Sequence, residues 1–313
     1  MFRGLVTKTT GKWYKVLAND KTLYDCRLRG NFRMHGLKTT NPIAVGDYVH
    51  FEIQQTDGTG LITAVDDRRN CIIRRATKLS KQTHIIAANL DQACLVVTLG
   101  FPRTSTGFID RFLVTAEAYH ISTILVFNKI DLYDDELWDY QKDFASVYQN
   151  AGYKCLEVSA TQKQNIDQLK ELISGKTTLF SGHSGVGKSA LLNAISPNLG
   201  LKVSDVSMFS LKGKHTTTFA ELFPFGEDGY IIDTPGIKEF GMVDFSKEEV
   251  SHFFPEMREV LHNCKFSNCT HEHEPGCAVK NAVENGLIAE SRYQNYLNII
   301  HGEEMELEDW QTR

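Results

Sequence analysis

No stretch of about eighteen consecutive apolar residues occurs in this 313-residue chain, so its sequence offers no membrane-spanning helix. The opening residues Met1-Phe2-Arg3-Gly4-Leu5 lack the long apolar core of a secretory leader, and a cytoplasmic protein is expected. A disulfide framework is missing too. The cysteines number seven, an odd count, and three of them crowd between Cys264 and Cys277. That distribution favours a metal site plus isolated thiols. The charge does not keep one sign. Residues 1–75 hold 13 Lys and Arg against 7 Asp and Glu, a balance of +6, and the remainder hold 21 against 32, a balance of −11. A basic N-terminal module suits an anionic partner, nucleic acid first, beside the plainer reading of a solvated surface of mixed charge. Glu303 to Asp309 read as a solvated acidic tail.

What is present, 42% hydrophobic and 23% charged residues, is ordinary for a globular protein. At ~100–200 residues per domain, two or three domains are expected. Residues 1–70 read as all-β. The runs Gly4–Thr9, Trp13–Leu17, Thr22–Leu28, Tyr48–Ile53 and Leu61–Val65 are separated by Gly, Asn and Asp, which suits a small oligonucleotide-binding (OB) barrel. Arg27, Arg29, Arg33 and Lys38 gather around Phe32, a combination that can neutralise phosphates and stack on a base. The alternative is that Phe32 belongs to the core. A basic connector, Asp67 to Arg75, follows.

Residues 71–242 read as a doubly wound α/β domain. Ala93–Leu99, Thr123–Phe127, Lys154–Val158, Thr178–Phe180 and Tyr230–Ile232 are expected as buried parallel strands. Ile109–His120, Asp135–Asn150, Ile166–Ile173 and Ser189–Ile195 are expected as the helices between them. Residues 243–313 read as helical. Ser246-Lys247-Glu248-Glu249 is a capping-box signature, and Ala278–Asn285 and Leu287–His301 are further helices. Tyr293, Tyr296, Leu297 and Ile300 fit a core stripe.

Three motifs define a nucleotide site, and their order is unusual. Gly182-His183-Ser184-Gly185-Val186-Gly187-Lys188-Ser189 is a G-x-x-x-x-G-K-[ST] phosphate loop between a strand and a helix. Backbone N–H groups from Gly185 through Val186, Gly187, Lys188, Ser189 and on to Ala190 can ring phosphates at a helix N-terminus. Lys188 is expected on the β- and γ-phosphates and the Ser189 hydroxyl on Mg²⁺. Asp233-Thr234-Pro235-Gly236 supplies a second Mg²⁺ group in Asp233 and a γ-phosphate N–H in Gly236. Between them, Gly213-Lys214-His215-Thr216-Thr217-Thr218 offers a threonine, with Thr217 the candidate, for Mg²⁺ and the γ-phosphate. Asn128-Lys129-Ile130-Asp131 reads as N-K-x-D. The Asp131 carboxylate would accept from guanine N1–H and the exocyclic amine, Lys129 would cover the base, and Ser159-Ala160 would offer an N–H to the guanine oxygen. Base recognition thus precedes the phosphate loop, the order of a circularly permuted GTPase. Ile237 stands where many GTPases place a water-orienting glutamine, so unaided hydrolysis of GTP to GDP is expected to be slow. His215 is the nearest polar helper.

Cys264, Cys269, His271 and Cys277 offer three thiolates and an imidazole within fourteen residues. That is a closed tetrahedral set for one structural Zn²⁺. His262 and His273 are rival ligands. Cys26, Cys71, Cys94 and Cys155 read as packing thiols.

With these residues in hand, the chain closely resembles the ribosome small subunit-dependent GTPase A (RsgA) family. Asn41-Pro42-Ile43-Ala44-Val45-Gly46-Asp47, Ala88-Asn89-Leu90-Asp91, the permuted motifs, residues 213–218 and Glu274-Pro275-Gly276-Cys277 carry the resemblance. It implies an OB fold, a permuted GTPase and a zinc-binding helical domain. It also implies GTP hydrolysis stimulated by the small ribosomal subunit during its late maturation, contact with its rRNA and with other assembly factors, and assistance to hydrolysis at His215. Gly185 replaces the Asn of potassium-activated GTPases, so potassium dependence is not expected. A monomer is assumed. Two readings compete: an RNA-binding module gated by nucleotide, with hydrolysis only resetting it, and a P-loop kinase or ATPase, against which Asn128 to Asp131 argue.

Overall fold

Side-chain alternation with period two closes the first segment into a barrel. The computed structural model describes residues 1–29, 42–75, 83–100, 102–201, 220–234 and 246–302. Strands β1 (Phe2–Thr9), β2 (Tyr14–Ala18), β3 (Leu23–Leu28), β4 (Tyr48–Ile53) and β5 (Gly60–Val65) lie in the order β1-β2-β3-β5-β4, and β4 returns to pair with β1. All these pairs are antiparallel except β3 with β5. In β2 the side chains of Tyr14, Val16 and Ala18 are buried while Lys15 is exposed. Val6, Cys26, Val49, Phe51 and Ile62 complete the barrel core. Each expected strand of this segment is found within one or two residues of its expected bounds. Arg27 and Arg29 lie at the end of β3, whereas Phe32, Arg33 and Lys38 fall outside the described residues.

A hairpin, β6 (Cys71–Arg75) with β7 (Thr83–Ala88), leads out of the barrel. The sequence reads its first arm as a connector, because Arg and Asn flank a run of only three apolar residues. The α/β sheet follows: β8 (Gln92–Val97), β9 (Ser122–Phe127), β10 (Lys154–Glu157), β11 (Thr177–Ser181), β12 (Glu221–Phe225) and β13 (Gly229–Asp233). Their order is β10-β9-β8-β11-β13-β12; the first five are parallel and β12 is antiparallel to β13. Every residue of β8 is buried, as a central parallel strand requires. Helices α1 (Thr106–Ala118) and α2 (Asp135–Asn150) pack Phe108, Phe112, Phe144 and Tyr148 on one face. Helices α3 (Ile166–Ile173) and α4 (Lys188–Ile195) pack Ile166, Leu169, Leu191 and Leu192 on the other.

Strand β12 is absent from the sequence reading, and Pro224 is the reason. Proline cannot donate to a ladder, so it argues against a strand. Here it is tolerated because β12 pairs along its length only with β13 and touches β1 only at Glu221 opposite Lys8. That contact carries an ion pair, Lys8 Nζ to Glu221 at 2.8 Å, and joins both sheets into a continuous one.

Other contacts brace the end of the barrel and seat it on the α/β unit. Arg68 pairs with the fully buried Asp47 at 2.6 Å and also donates to the Pro42 carbonyl at 2.8 Å. Gly46 has φ +91°, and a Cβ there would lie 2.1 Å from the Ala88 carbonyl oxygen, so only glycine fits. The Asn89 amide donates to the Gly46 carbonyl at 2.9 Å. The segments 42–47 and 88–91 are therefore the joint between the two units.

In the C-terminal part, the Ser246 N–H donates to Glu249 at 2.9 Å, closing the expected capping box at α5 (Lys247–Val250). Helices α6 (Pro255–Arg258), α7 (Ala278–Glu284) and α8 (Glu290–His301) follow. Their core, with Phe254, Met257, Val279, Tyr296 and Ile300, includes Val114 of α1. Beside it lies a buried ionic network. Arg292 of α8 donates to Asp110 of α1 at 2.6 Å and to Glu256 at 2.7 and 3.1 Å. Asn295 donates to the other Asp110 oxygen at 2.5 Å, and the Arg292 guanidinium lies 4.6 Å from the Phe254 ring centroid. Burial raises the Asp110 pKa, with Arg292 and Asn295 opposing it.

Replacing Arg292 with Ala strands that carboxylate, and a loss of about 3–5 kcal/mol in urea unfolding at neutral pH is expected. A buried acid with a raised folded pKa destabilises the fold most above that value. The deficit of the variant should therefore shrink as pH falls through it.

Candidate functional site: nucleotide cleft and cysteine cluster

The carboxyl ends of β8, β9, β11 and β13 point to one edge of the sheet, where open α/β folds bind ligands. Strands β9, β11 and β13 each lead into a motif. After β11 the chain turns through Gly182, Gly185 and Gly187 into α4, whose first residue is Lys188. Val186 is fully buried, Lys188 nearly so, and Ser189 and Ala190 lie half-buried in the first turn. Lys188 contacts the carboxylate of Asp233 at the end of β13, bringing the two phosphate-side motifs together. The buried Thr234 hydroxyl donates to the Phe180 carbonyl at 2.9 Å, pinning the start of the D-x-x-G segment to β11.

The base-recognition motif is built into the phosphate loop. The buried Asn128 amide donates to the Val186 carbonyl at 2.9 Å, and its oxygen accepts from the Ala160 N–H at 3.2 Å. Gly187 has φ +85°, and a Cβ there would lie 2.5 Å from the Asn128 amide nitrogen. Lys129 adopts a left-handed conformation, φ +68°; burial lowers its pKa, with Asp131 opposing. The Asp131 carboxylate accepts from Ser159 at 2.6 Å and from Thr161 at 3.0 Å. Thus Asn128, Lys129, Asp131, Ser159, Ala160, Gly182, Gly185, Val186, Gly187, Lys188, Ser189, Ala190 and Asp233 converge on one edge. His215, Thr217, Gly236 and Ile237 fall outside the described residues. Two contacts were not legible in the sequence. Thr161 follows Ser159-Ala160 directly, and that adjacency is its only signal. The His183 ring lies 3.7 Å from the Phe108 ring of α1, centroid to centroid, setting α1 beside the phosphate loop.

The second cluster lies between α6 and α7. The ligand atoms of Cys264, Cys269, His271 and Cys277 lie within 4.8 Å of one another. His271 turns Nδ1 inward, 3.3 Å from the Cys277 sulfur and 3.7 Å from that of Cys264. Burial lowers its pKa, keeping the ring neutral and available as a donor. Burial raises Cys269 to about 12 and raises Cys277 as well. Three thiols and a neutral imidazole at this spacing fit a Zn²⁺, which would hold the sulfurs as thiolates.

The loop around this cluster is closely held. Glu274 accepts from the backbone N–H groups of Thr270, Glu272 and His273 and from the Thr270 hydroxyl. Those bonds outweigh burial and hold its pKa at about 2. Tyr293 and Tyr296 donate to the carbonyls of His271 and Thr270 at 2.6 and 2.7 Å. The expected core stripe is there, and its hydroxyls also clamp the loop. His262 and His273 lie outside the cluster. Cys26 and Cys94 are buried, and Cys71 and Cys155 half-buried, as packing thiols are.

Residues 3–62 match the RsgA N-terminal domain and residues 65–243 match the RsgA GTPase domain. The chain belongs to the RsgA GTPase family. It is therefore a GTP hydrolase that binds guanine nucleotides. A Bacteroides fragilis relative, named small ribosomal subunit biogenesis GTPase RsgA, is 51% identical over 96% of this chain and 97% of its own. A Bacteroides thetaiotaomicron relative, small ribosomal subunit biogenesis GTPase RsgA 2, is 53% identical over the same shares. The crystal structure of YjeQ from Thermotoga maritima superposes with a TM-score of 0.78 at 39% identity, covering 96% of this chain and 98% of that one. YloQ, described as a circularly permuted GTPase, superposes at 0.73 with 33% identity, over 97% and 95%. The OB barrel and the permuted motif order are both as expected.

Replacing Gly187 with Ala tests the joint between the base and phosphate motifs. The added methyl must displace Asn128 and strain a left-handed backbone, a cost of order 1–3 kcal/mol. Titration calorimetry should show GDP affinity reduced about tenfold or more, with the barrel and the cysteine cluster still folded.

Proposed function

We propose that the chain acts in the cytoplasm, as a monomer, in late maturation of the small ribosomal subunit, and that the subunit stimulates its GTP hydrolysis. The observation that carries this reading is the joining of a phosphate loop, bonded to the Asn128 motif, with an OB barrel in a chain over 50% identical to a named small-subunit biogenesis GTPase. We take the units as 1–70, 71–242 and 243–313, which the matched ranges 3–62 and 65–243 support.

In this reading Lys188 releases Asp233 to engage the β- and γ-phosphates, while backbone N–H groups from Gly185 to Ala190 receive the phosphate oxygens at the start of α4. Ser189 and Asp233, with Thr217, are the groups that would hold Mg²⁺. That ion, when bound, offsets the charge that develops on the transferring phosphoryl group. Asp131 accepts from the guanine edge, and Asn128 keeps that edge in register with the phosphate loop. His215 is assigned the help that Ile237 cannot give. Cys264, Cys269, His271 and Cys277 would hold Zn²⁺ as a structural ion. The barrel, with Arg27 and Arg29, and the zinc-bearing unit are assigned to rRNA and, through it, to neighbouring assembly factors.

Steady-state GTP hydrolysis, measured alone and with purified small or large subunits, tests the reading. Stimulation by small subunits only is expected. Tight GTP binding with no stimulation would instead favour an RNA-binding module that hydrolysis merely resets. A strong chelator tests the metal: loss of helical circular dichroism is expected as the cysteine loop opens. Unchanged dichroism with the metal removed would contradict a structural role.

A further inference from the structure

Asp131 is held from behind by two hydroxyls, one on each oxygen. Ser159 Oγ donates to Oδ1 at 2.6 Å and Thr161 Oγ1 donates to Oδ2 at 3.0 Å. Ser159 also accepts from the Gln162 N–H at 3.0 Å, so its single proton is committed to Asp131. The two hydroxyl oxygens lie 3.1 Å apart, and with both protons directed to Asp131 they are side by side without bonding each other.

The loop that carries them closes on itself. Ser159 and Gln164 exchange backbone hydrogen bonds at 3.2 and 3.1 Å, and the Asn165 amide donates to the Glu157 carbonyl at 2.9 Å. Ala160 fastens the same loop to Asn128. Its shape therefore does not depend on the Thr161 side chain.

A carboxylate offers about four lone-pair sites, two on each oxygen. Here one site on each oxygen is filled by a hydroxyl, which leaves one on each. Two parallel acceptors match two parallel donors, the N1–H and exocyclic amine of guanine. With Thr161 silent, only Oδ1 is anchored and the carboxylate can turn about its Cβ–Cγ bond. Turning harms recognition at two points more than recognition at one.

We propose that Thr161 is a specificity-determining positioning residue, whose hydroxyl fixes the rotation of the Asp131 carboxylate so that both oxygens face the guanine edge. This rests on the reading of Asp131 as the guanine acceptor. The probe is a pair of nucleotides, GDP and inosine diphosphate, which differ only by the exocyclic amine.

Affinities of the full chain for both are measured by titration calorimetry for Thr161→Val, Thr161→Ser and Asp131→Ala. In Thr161→Val, GDP should weaken about fivefold and inosine diphosphate less than twofold, so the preference for GDP falls. Thr161→Ser keeps a hydroxyl and should restore the preference. Equal weakening of both nucleotides in Thr161→Val would reveal a loop-wide effect and overturn the proposal, as would no change. Asp131→Ala should abolish the preference outright. If it leaves both affinities unaltered, the guanine reading itself fails and takes the proposal with it. If it abolishes the preference while Thr161→Val does not lower it, only the role of Thr161 is lost.

Discussion

One side-chain amide holds the nucleotide cleft together. Asn128 follows β9, yet its amide is spent on the phosphate loop at Val186 and its oxygen on the loop at Ala160. Its own N–H closes onto the Val97 carbonyl of the neighbouring strand at 2.9 Å. Three segments, 58, 32 and 31 residues away in sequence (the last 128 − 97), thus meet at one buried residue. Each bond is worth about a kilocalorie net, but leaving any of these buried groups unmet costs more. Permutation changes the order in which the segments are threaded and leaves this meeting intact. It constrains the neighbours as well: Gly187 must lack a side chain because Asn128 occupies its place.

Buried charge fixes geometry inside the barrel segment and between α1 and the C-terminal helices, while apolar residues such as Leu5 and Val45 join the barrel to the α/β core. Arg68 and Asp47 brace the end of the barrel segment, and Arg292, Asp110 and Glu256 fix the C-terminal helices on α1. Ion pairs out of water are poor sources of stability but strict arbiters of geometry, since a misplaced partner leaves an uncompensated charge. Such joints favour a single arrangement of the units. Phe108 against His183 places the same helix, α1, beside the phosphate loop, and Val114 packs it with the C-terminal helices. One helix, α1, thus contacts both the phosphate loop and the C-terminal helices.

What the sequence made legible follows from how local each signal is. The barrel strands alternate with period two, α2 and α3 have strong apolar faces, and the phosphate loop and cysteine cluster are written in contiguous residues. Strand β12 was hidden by Pro224, whose fitness depends on which edge is paired, a tertiary fact. The joint at 42–47 and 88–91 could be matched as a pattern but not understood as one, because Gly46 is needed only where Ala88 approaches it. Asp110 and Arg292 are polar residues on helices, and in isolation such residues read as solvent-facing. Thr161 looks like any loop threonine until Asp131 is seen across from it.

The position of α8 late in the chain bears on how the protein is made. Asp110 is synthesised 182 residues before Arg292, and Val114 precedes most of the core it shares with the C-terminal helices. While the chain is still growing, the outer face of α1 presents a carboxylate and apolar carbons with nothing to cover them. The barrel and the nucleotide cleft can assemble as they emerge, yet that face stays open until residues beyond Glu290 are free to dock. Nascent chains thus pass through an interval in which this face of α1 is open to chaperones or to wrong partners.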